Sequence, residues 1–215
     1  MAHRLGWAER FAPLAHAGDA IGTLRPDLAA RTGLSPRVTV HAGLHDSNAA
    51  LLAARGFAAI GGQEATVLST GTWFIAMRSP RSPIDIANLP DDRDCLVNVD
   101  VDGRAVPSAR WMGGREIELL GDRIDRPGLD GVADVLTSGA MVLPTHAPGC
   151  GPFPRSTARW INRPDLADER VAVGALYAAL VTDASLDLIG ARDRLLVEGR
   201  FAGSELFVRA LARLR

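Results

Sequence analysis

Apolar and polar residues alternate from Val38 to Ala42 and stop at Gly43, the pattern of a short strand. An Ala/Leu-rich helical pattern follows, from Ser47 to Arg55. Asp46 therefore stands where a strand gives way to a helix, the position at which α/β folds place chemistry. Upstream, Arg25 to Gly33 reads as a short helix with proline near its start and glycine past its end. Downstream, Thr66–Leu68 and Trp73–Met77 form a predicted hairpin around Ser69-Thr70-Gly71-Thr72. Cys95–Val101 and Ala105–Ala109 form another, with Asp102-Gly103 at its turn. A helix is expected over Glu116–Ile124 and a short buried strand over Ala140–Leu143. The Pro- and Gly-rich stretch Pro144–Pro154 then forbids regular structure. The longest periodic segment is Glu169–Ala191. Val173, Leu176, Leu180, Ala184, Asp187, Leu188 and Ala191 recur there at three- and four-residue spacing, the mark of a core helix. A strand Arg194–Gly199 and a helix Gly203–Leu214 close the pattern, which is that of an α/β protein.

Composition narrows the class without naming it. At 215 residues, 47% hydrophobic and 23% charged, the chain can build one good core or two small ones. A net charge of −1 gives no reason to expect nucleic acid or an anionic membrane as partner. Cys95 and Cys150 match neither a metal spacing nor a disulfide framework, which points to a reduced, cytoplasmic setting. No apolar run of membrane-spanning length stands out, and charge recurs through Met1–Phe11 where a signal peptide would lie.

Each candidate for chemistry has a plain structural reading beside it. Asp46 can cap the helix that follows it. The Ser69–Thr72 turn can be only a hairpin turn, although such turns also offer N–H groups and hydroxyls to phosphate oxygens. Arg115 and Glu116 read as solvated charges in the first turn of a helix, and His146 as a loop histidine, solvated or facing a ligand. A serine hydrolase at Ser47 or Ser69 lacks the Gly-x-Ser-x-Gly elbow. Gly61-Gly62 is too little for a dinucleotide site.

Taken together, Gly43-Leu44-His45-Asp46 and Thr70-Gly71-Thr72 resemble the FGGY family of carbohydrate kinases, within the actin/hexokinase-like ATPase superfamily. In that family a Gly-x-x-Asp at a strand end supplies the catalytic base, and a Gly-Thr turn soon after touches the ATP phosphates. The passage Gly18-Asp19, Ile21-Gly22-Thr23-Leu24, Pro26 and Thr32-Gly33-Leu34 is similar to the one preceding that aspartate. His45-Asp46-Ser47-Asn48, Ser69–Trp73 and Gly113-Gly114-Arg115-Glu116 look closest to rhamnulokinase- and fuculokinase-like members. Glu198-Gly199-Arg200-Phe201-Ala202-Gly203-Ser204 resembles the family's adenosine segment, with bulky Arg200 where a close backbone approach favours a small residue.

The resemblance implies two ribonuclease-H-like lobes around a cleft, with the end of lobe I over 1–57, a Gly56–Gly62 hinge and most of lobe II over 58–215. It implies ATP-dependent phosphorylation of a sugar hydroxyl, with Asp46 as base and His45 and Asp46 at the sugar. Gly71 and Thr72 would hold the phosphates, and Gly199, Gly203 and Ser204 the adenosine. Mg²⁺-ATP is the implied cofactor. No Asp-x-Gly-Thr, the family's metal-phosphate motif, occurs in the chain, so no protein metal ligand is expected. The chain is thus expected to be a truncated or split kinase, or a remnant that binds nucleotide or a partner. An uncovered sheet edge makes a homodimer an expectation too.

Overall fold

The computed structural model describes residues 3–57, 60, 62–82, 84–120, 129 and 131–215. Its centre is a five-stranded sheet ordered β5-β6-β4-β3-β9, with β3 Ala65–Thr70, β4 Phe74–Ser79, β5 Cys95–Val99, β6 Ala105–Trp111 and β9 Arg194–Gly199. β3, β4, β6 and β5 pair antiparallel, whereas β9 lies parallel to β3. A parallel neighbour requires a crossover, and the chain between β6 and β9 supplies it with α3 Gly113–Leu120, α4 Val132–Ser138 and α5 Ala167–Leu188. The remaining elements are β1 Ala20–Thr23, α1 Pro26–Thr32, β2 Thr39–His41, α2 Asp46–Arg55, β7 Met141–Leu143, β8 Arg159–Ile161 and α6 Glu205–Leu214.

Period-two alternation divides the sheet between two cores. Leu68, Phe74, Ala76, Ala109 and Trp111 face α5 and α6. Ala65, Val67, Met77 and Val106 face α2 through Leu51 and Ala54. Phe74 is the hub of the larger core, with edge-on contacts to Trp111 at 5.0 Å, Phe201 at 4.8 Å and Phe207 at 5.8 Å between centroids.

Both predicted hairpins form, with adjusted ends. β5 stops at Val99 rather than Val101, because the buried Asp100 carboxylate accepts N–H bonds from Asp102 and Arg104, both at 2.9 Å. Asp100, as much as Asp102-Gly103, builds that turn. The helix expected from Glu116 begins earlier, at Gly113; its continuation over 121–124 lies outside the described residues, as do residues 58, 59 and 61 of the expected Gly56–Gly62 hinge. The helix expected from Gly203 begins at Glu205, after a single turn Arg200–Gly203.

The long helix needs the largest correction. One apolar stripe was expected, yet Leu180 is 57% exposed, while Ala172, Ala175, Ala178 and Ala179 are buried. α5 packs against β4 and β6 of the sheet and against α3, α4 and α6, so more than one of its faces is covered and its small residues set how closely it packs. Contrary to the expectation from sequence, α5 is apolar and long enough to cross a membrane, with a mean hydropathy of 1.5. It is instead packed as a core helix, 61% of that window lying inside the molecule.

Residues 3–45 form a different kind of structure. β1 and β2 make a two-stranded sheet on their own, and every residue in both is exposed. Trp7, Phe11, Leu14, Ile21, Val38 and Val40 are all exposed large apolar residues.

Candidate active site

β3 and β9 run parallel and end together, with Thr70 paired to Gly199. Ligands of open α/β sheets bind beyond such carboxyl ends. Here the ends form one wall of a cleft of about 490 Å³, and the first turn of α2 forms the other. Asp46, Ser47, Gly71, Thr72, Glu198 and Gly199 all line it, with Trp73 at its edge.

Gly199 is required by the way the strands end. Its φ is +86°, and a Cβ there would lie 2.4 Å from the Thr70 carbonyl oxygen. Only glycine lets the end of β9 come this near β3. Thr70, itself buried, fixes the junction: its Oγ1 donates to the Glu198 carbonyl at 2.6 Å and accepts from the Phe201 N–H at 3.0 Å. The Gly71–Trp73 loop then crosses the top of the hairpin, closed by the Gly71 N–H donating to the Trp73 carbonyl at 3.0 Å. Thr72 stands exposed on it.

Asp46 occupies the first position of α2, after His45 as N-cap. Its side chain is fully exposed to the cleft, and its Oδ1 accepts the Ser47 N–H at 2.7 Å. That backbone hydrogen bond, and next the His45 ring 3.6 Å away, hold the Asp46 carboxyl below its ordinary range. Asp46 is therefore ionised at neutral pH, the state a proton acceptor needs.

The structure gathers Asp46, Gly71, Thr72 and Gly199 at one cleft. His45 flanks it without lining it. Gly203 and Ser204 are not brought to its wall either: Ser204 is fully buried at the start of α6, its hydroxyl turned into the core without a partner. Arg200 does not block the approach to Gly199, because its guanidinium lies 3.7 Å from Glu118 and over the Phe201 ring. Glu198 and Trp73 line the cleft although neither was assigned a role within the segments that carry them; an acid closing a strand was the available signal for Glu198.

Glu116 is no solvated charge. It is 2% exposed and accepts hydrogen bonds from the Tyr177 hydroxyl, the His146 N–H at 3.1 Å and the Ala147 N–H at 3.3 Å. His146 is likewise no solvated loop residue: its Nε2 is buried without a partner, and burial pushes its pKa down against the pull of Glu116. Among the described residues no group of three or more His, Cys, Asp or Glu could hold a metal ion.

Comparison with known proteins shows the family to which the chain belongs. Residues 62–215 match the family model of the carbohydrate kinase FGGY C-terminal domain. Over 116 residues the chain is 33% identical to an L-fuculokinase of Haemophilus influenzae, covering 52% of this chain and 22% of that one. A crystal structure of a carbohydrate kinase from Novosphingobium aromaticivorans is 63% identical and superposes over 100% of this chain with a TM-score of 0.89. A xylulose kinase from Rhodospirillum rubrum, 19% identical with a TM-score of 0.66 over 99% of this chain, shares the fold. The chain spans 48% and 46% of those two solved kinases. A sheet of actin/hexokinase-type topology, a glycine-tightened turn at its carboxyl ends and a match over residues 62–215 lead to one conclusion: the chain belongs to the FGGY family of carbohydrate kinases.

Proposed function

We propose that this chain carries the rear of the catalytic cleft of an ATP-dependent sugar kinase acting on a ketose or deoxy-ketose of the rhamnulose or fuculose class. The observation that carries the reading is the single cleft shared by an exposed, ionised Asp46 and the backbone turns at Gly71 and Gly199. The likeness to an L-fuculokinase over 116 residues supports the choice of substrate class.

In this reading Asp46 and His45 face the sugar, and Asp46 takes the proton of the hydroxyl that attacks phosphorus. ATP, when bound, supplies the phosphoryl group. Gly71 and the Thr72 hydroxyl hold its phosphate oxygens, and their lack of bulk suits a polyanion that must come close to the backbone. Gly199 lines the adenosine side, which the exposed Gly203 would extend, while Ser204, fully buried, makes no contact with the nucleotide. Mg²⁺ would arrive on the nucleotide's own phosphates, beside the cleft carboxylates Asp46 and Glu198. We divide the chain at 57/58, so that α2 belongs to lobe I while packing on the sheet of lobe II. The exposed apolar residues of the first 45 positions are then covered by the rest of lobe I, or by a second copy in a homodimer.

The test is Asp46→Asn in a complete enzyme of this type. The side chain is solvent-exposed, so folding and ADP affinity should be unchanged while turnover falls by about 10²- to 10⁴-fold. Retained turnover overturns the base assignment. A second reading is a catalytically inactive domain that binds nucleotide or a partner. It predicts ADP binding with no phosphorylation of any sugar when a lobe I is supplied.

A further inference from the structure

The Pro144–Pro154 loop lies away from the cleft lining, yet two carboxylates tie it to the supports of the Gly71–Trp73 turn. Glu116 accepts the N–H groups of His146 and Ala147 and sits on α3. The first turn of that helix presses on the turn: a Cβ on Gly114 would lie 2.1 Å from the Gly71 oxygen, and the Arg115 N–H donates to the Thr72 carbonyl at 3.3 Å. Asp94 accepts the Gly151 N–H at 2.7 Å with one oxygen and the Arg110 Nε–H at 3.1 Å with the other. The Arg110 guanidinium lies 5.2 Å from the centroid of the Trp73 ring. The loop is itself braced, Thr145 Oγ1 donating to the Phe153 carbonyl at 2.8 Å and Arg93 Nε–H to the Pro152 carbonyl at 2.8 Å.

A carboxylate buried as deeply as Glu116 costs folding energy unless donors compensate it, and an apolar residue would pack α3 without that cost. Its three donors come from two elements distant in sequence, the loop and α5, so what it adds is a fixed relative position.

We infer that Glu116 and Asp94 are positioning residues for the Gly71–Trp73 turn, clamping the Pro144–Pro154 loop against α3 and Arg110. The inference rests on the proposed reading of that turn as a phosphate site.

The test is hydrogen–deuterium exchange of the full 215-residue chain, read over residues 69–74 and 113–117, with ADP affinity measured in parallel by calorimetry. Glu116→Gln cannot accept from all three donors, so exchange in both segments should rise about tenfold and ADP should bind about tenfold more weakly. Asp94→Asn should do the same over 69–74, and serves if Glu116→Gln does not fold. Tyr177→Phe, which leaves the two loop bonds in place, and Val106→Ala, in the core on the other face, should stay within about twofold of wild type in both segments. Unchanged exchange over the turn in both carboxylate variants overturns the inference, as does equal acceleration by Tyr177→Phe or Val106→Ala. Failure of the wild type to bind ADP sinks the nucleotide reading instead, and the exchange pattern still decides the clamp.

Discussion

Replacing Gly199 by alanine tests the geometry of the cleft more directly than any charged substitution. The backbone there has φ +86° and ψ −161°, a region that residues with a Cβ enter at a cost of about 1–3 kcal/mol. The added Cβ would also meet the Thr70 oxygen at 2.4 Å and its carbonyl carbon and nitrogen at 3.1 Å. Relief requires the end of β9 to move by roughly 1 Å, since comfortable contacts begin near 3.5 Å. That movement strains the Thr70 Oγ1–Glu198 and Phe201–Thr70 hydrogen bonds, at 2.6 and 3.0 Å, adding about 1 kcal/mol. The expected total is about 3 kcal/mol, or a fall in Tm of about 6–12 °C for a chain of this size. Gly71→Ala is the matched control: its Cβ would meet nothing nearer than 3.9 Å and its φ is not left-handed, so stability should change by less than about 0.5 kcal/mol. Urea denaturation of the two variants and the wild type measures both. A loss below about 0.5 kcal/mol for Gly199→Ala, or an equal loss for Gly71→Ala, would refute the argument that close strand approach is what requires glycine.

Other expectations follow from the same contacts. Thr70→Val leaves the Glu198 carbonyl and the Phe201 N–H without their buried partner, so denaturation should show a loss of about 1–3 kcal/mol; a neutral result would mean water reaches both groups. Burial works to raise the pKa of Asp100, but the Arg104 and Asp102 N–H bonds and the Arg104 guanidinium outweigh it and hold the pKa below its ordinary value. The lowered pKa contributes stability that is present above the unfolded carboxylate range and is lost as pH falls through the folded value. Stability should therefore drop on acidification below about pH 4, and less so in Asp100→Asn; identical acid profiles would remove Asp100 from the account. Burial pushes the Cys95 thiol up to about 11, and the Cys150 thiol is raised by burial too. A thiol-specific disulfide reagent at pH 8 should label both slowly in the native chain and rapidly in denaturant; fast native labelling at Cys95 would show that the edge by β5 opens.

The local pattern was enough for β2 to β7 and β9, for the hairpins and for the order of Asp46 before Gly71-Thr72, because alternation, turn glycines and helix starts act within a few residues; β1, β8 and α4 were not marked by it. It also placed Gly199 at a strand end. The remainder depended on contacts between distant parts of the chain. Glu116 looks like any first-turn glutamate until α5 and the 144–154 loop close over it, and the loss of water converts a surface charge into a buried acceptor for three donors. The apolar stripe chosen on α5 put Leu180 inwards, because periodicity cannot tell one covered face from two. The small residues that are buried instead owe their places to the sheet, α4 and α6, which all pack on the helix. Glu198 entered the cleft only through the parallel pairing of β9 with β3, which joins residues 128 positions apart. Sequence determined which groups could do chemistry; the crossover that returns β9 beside β3 decided which of them share one wall, because only folding brings their carboxyl ends together.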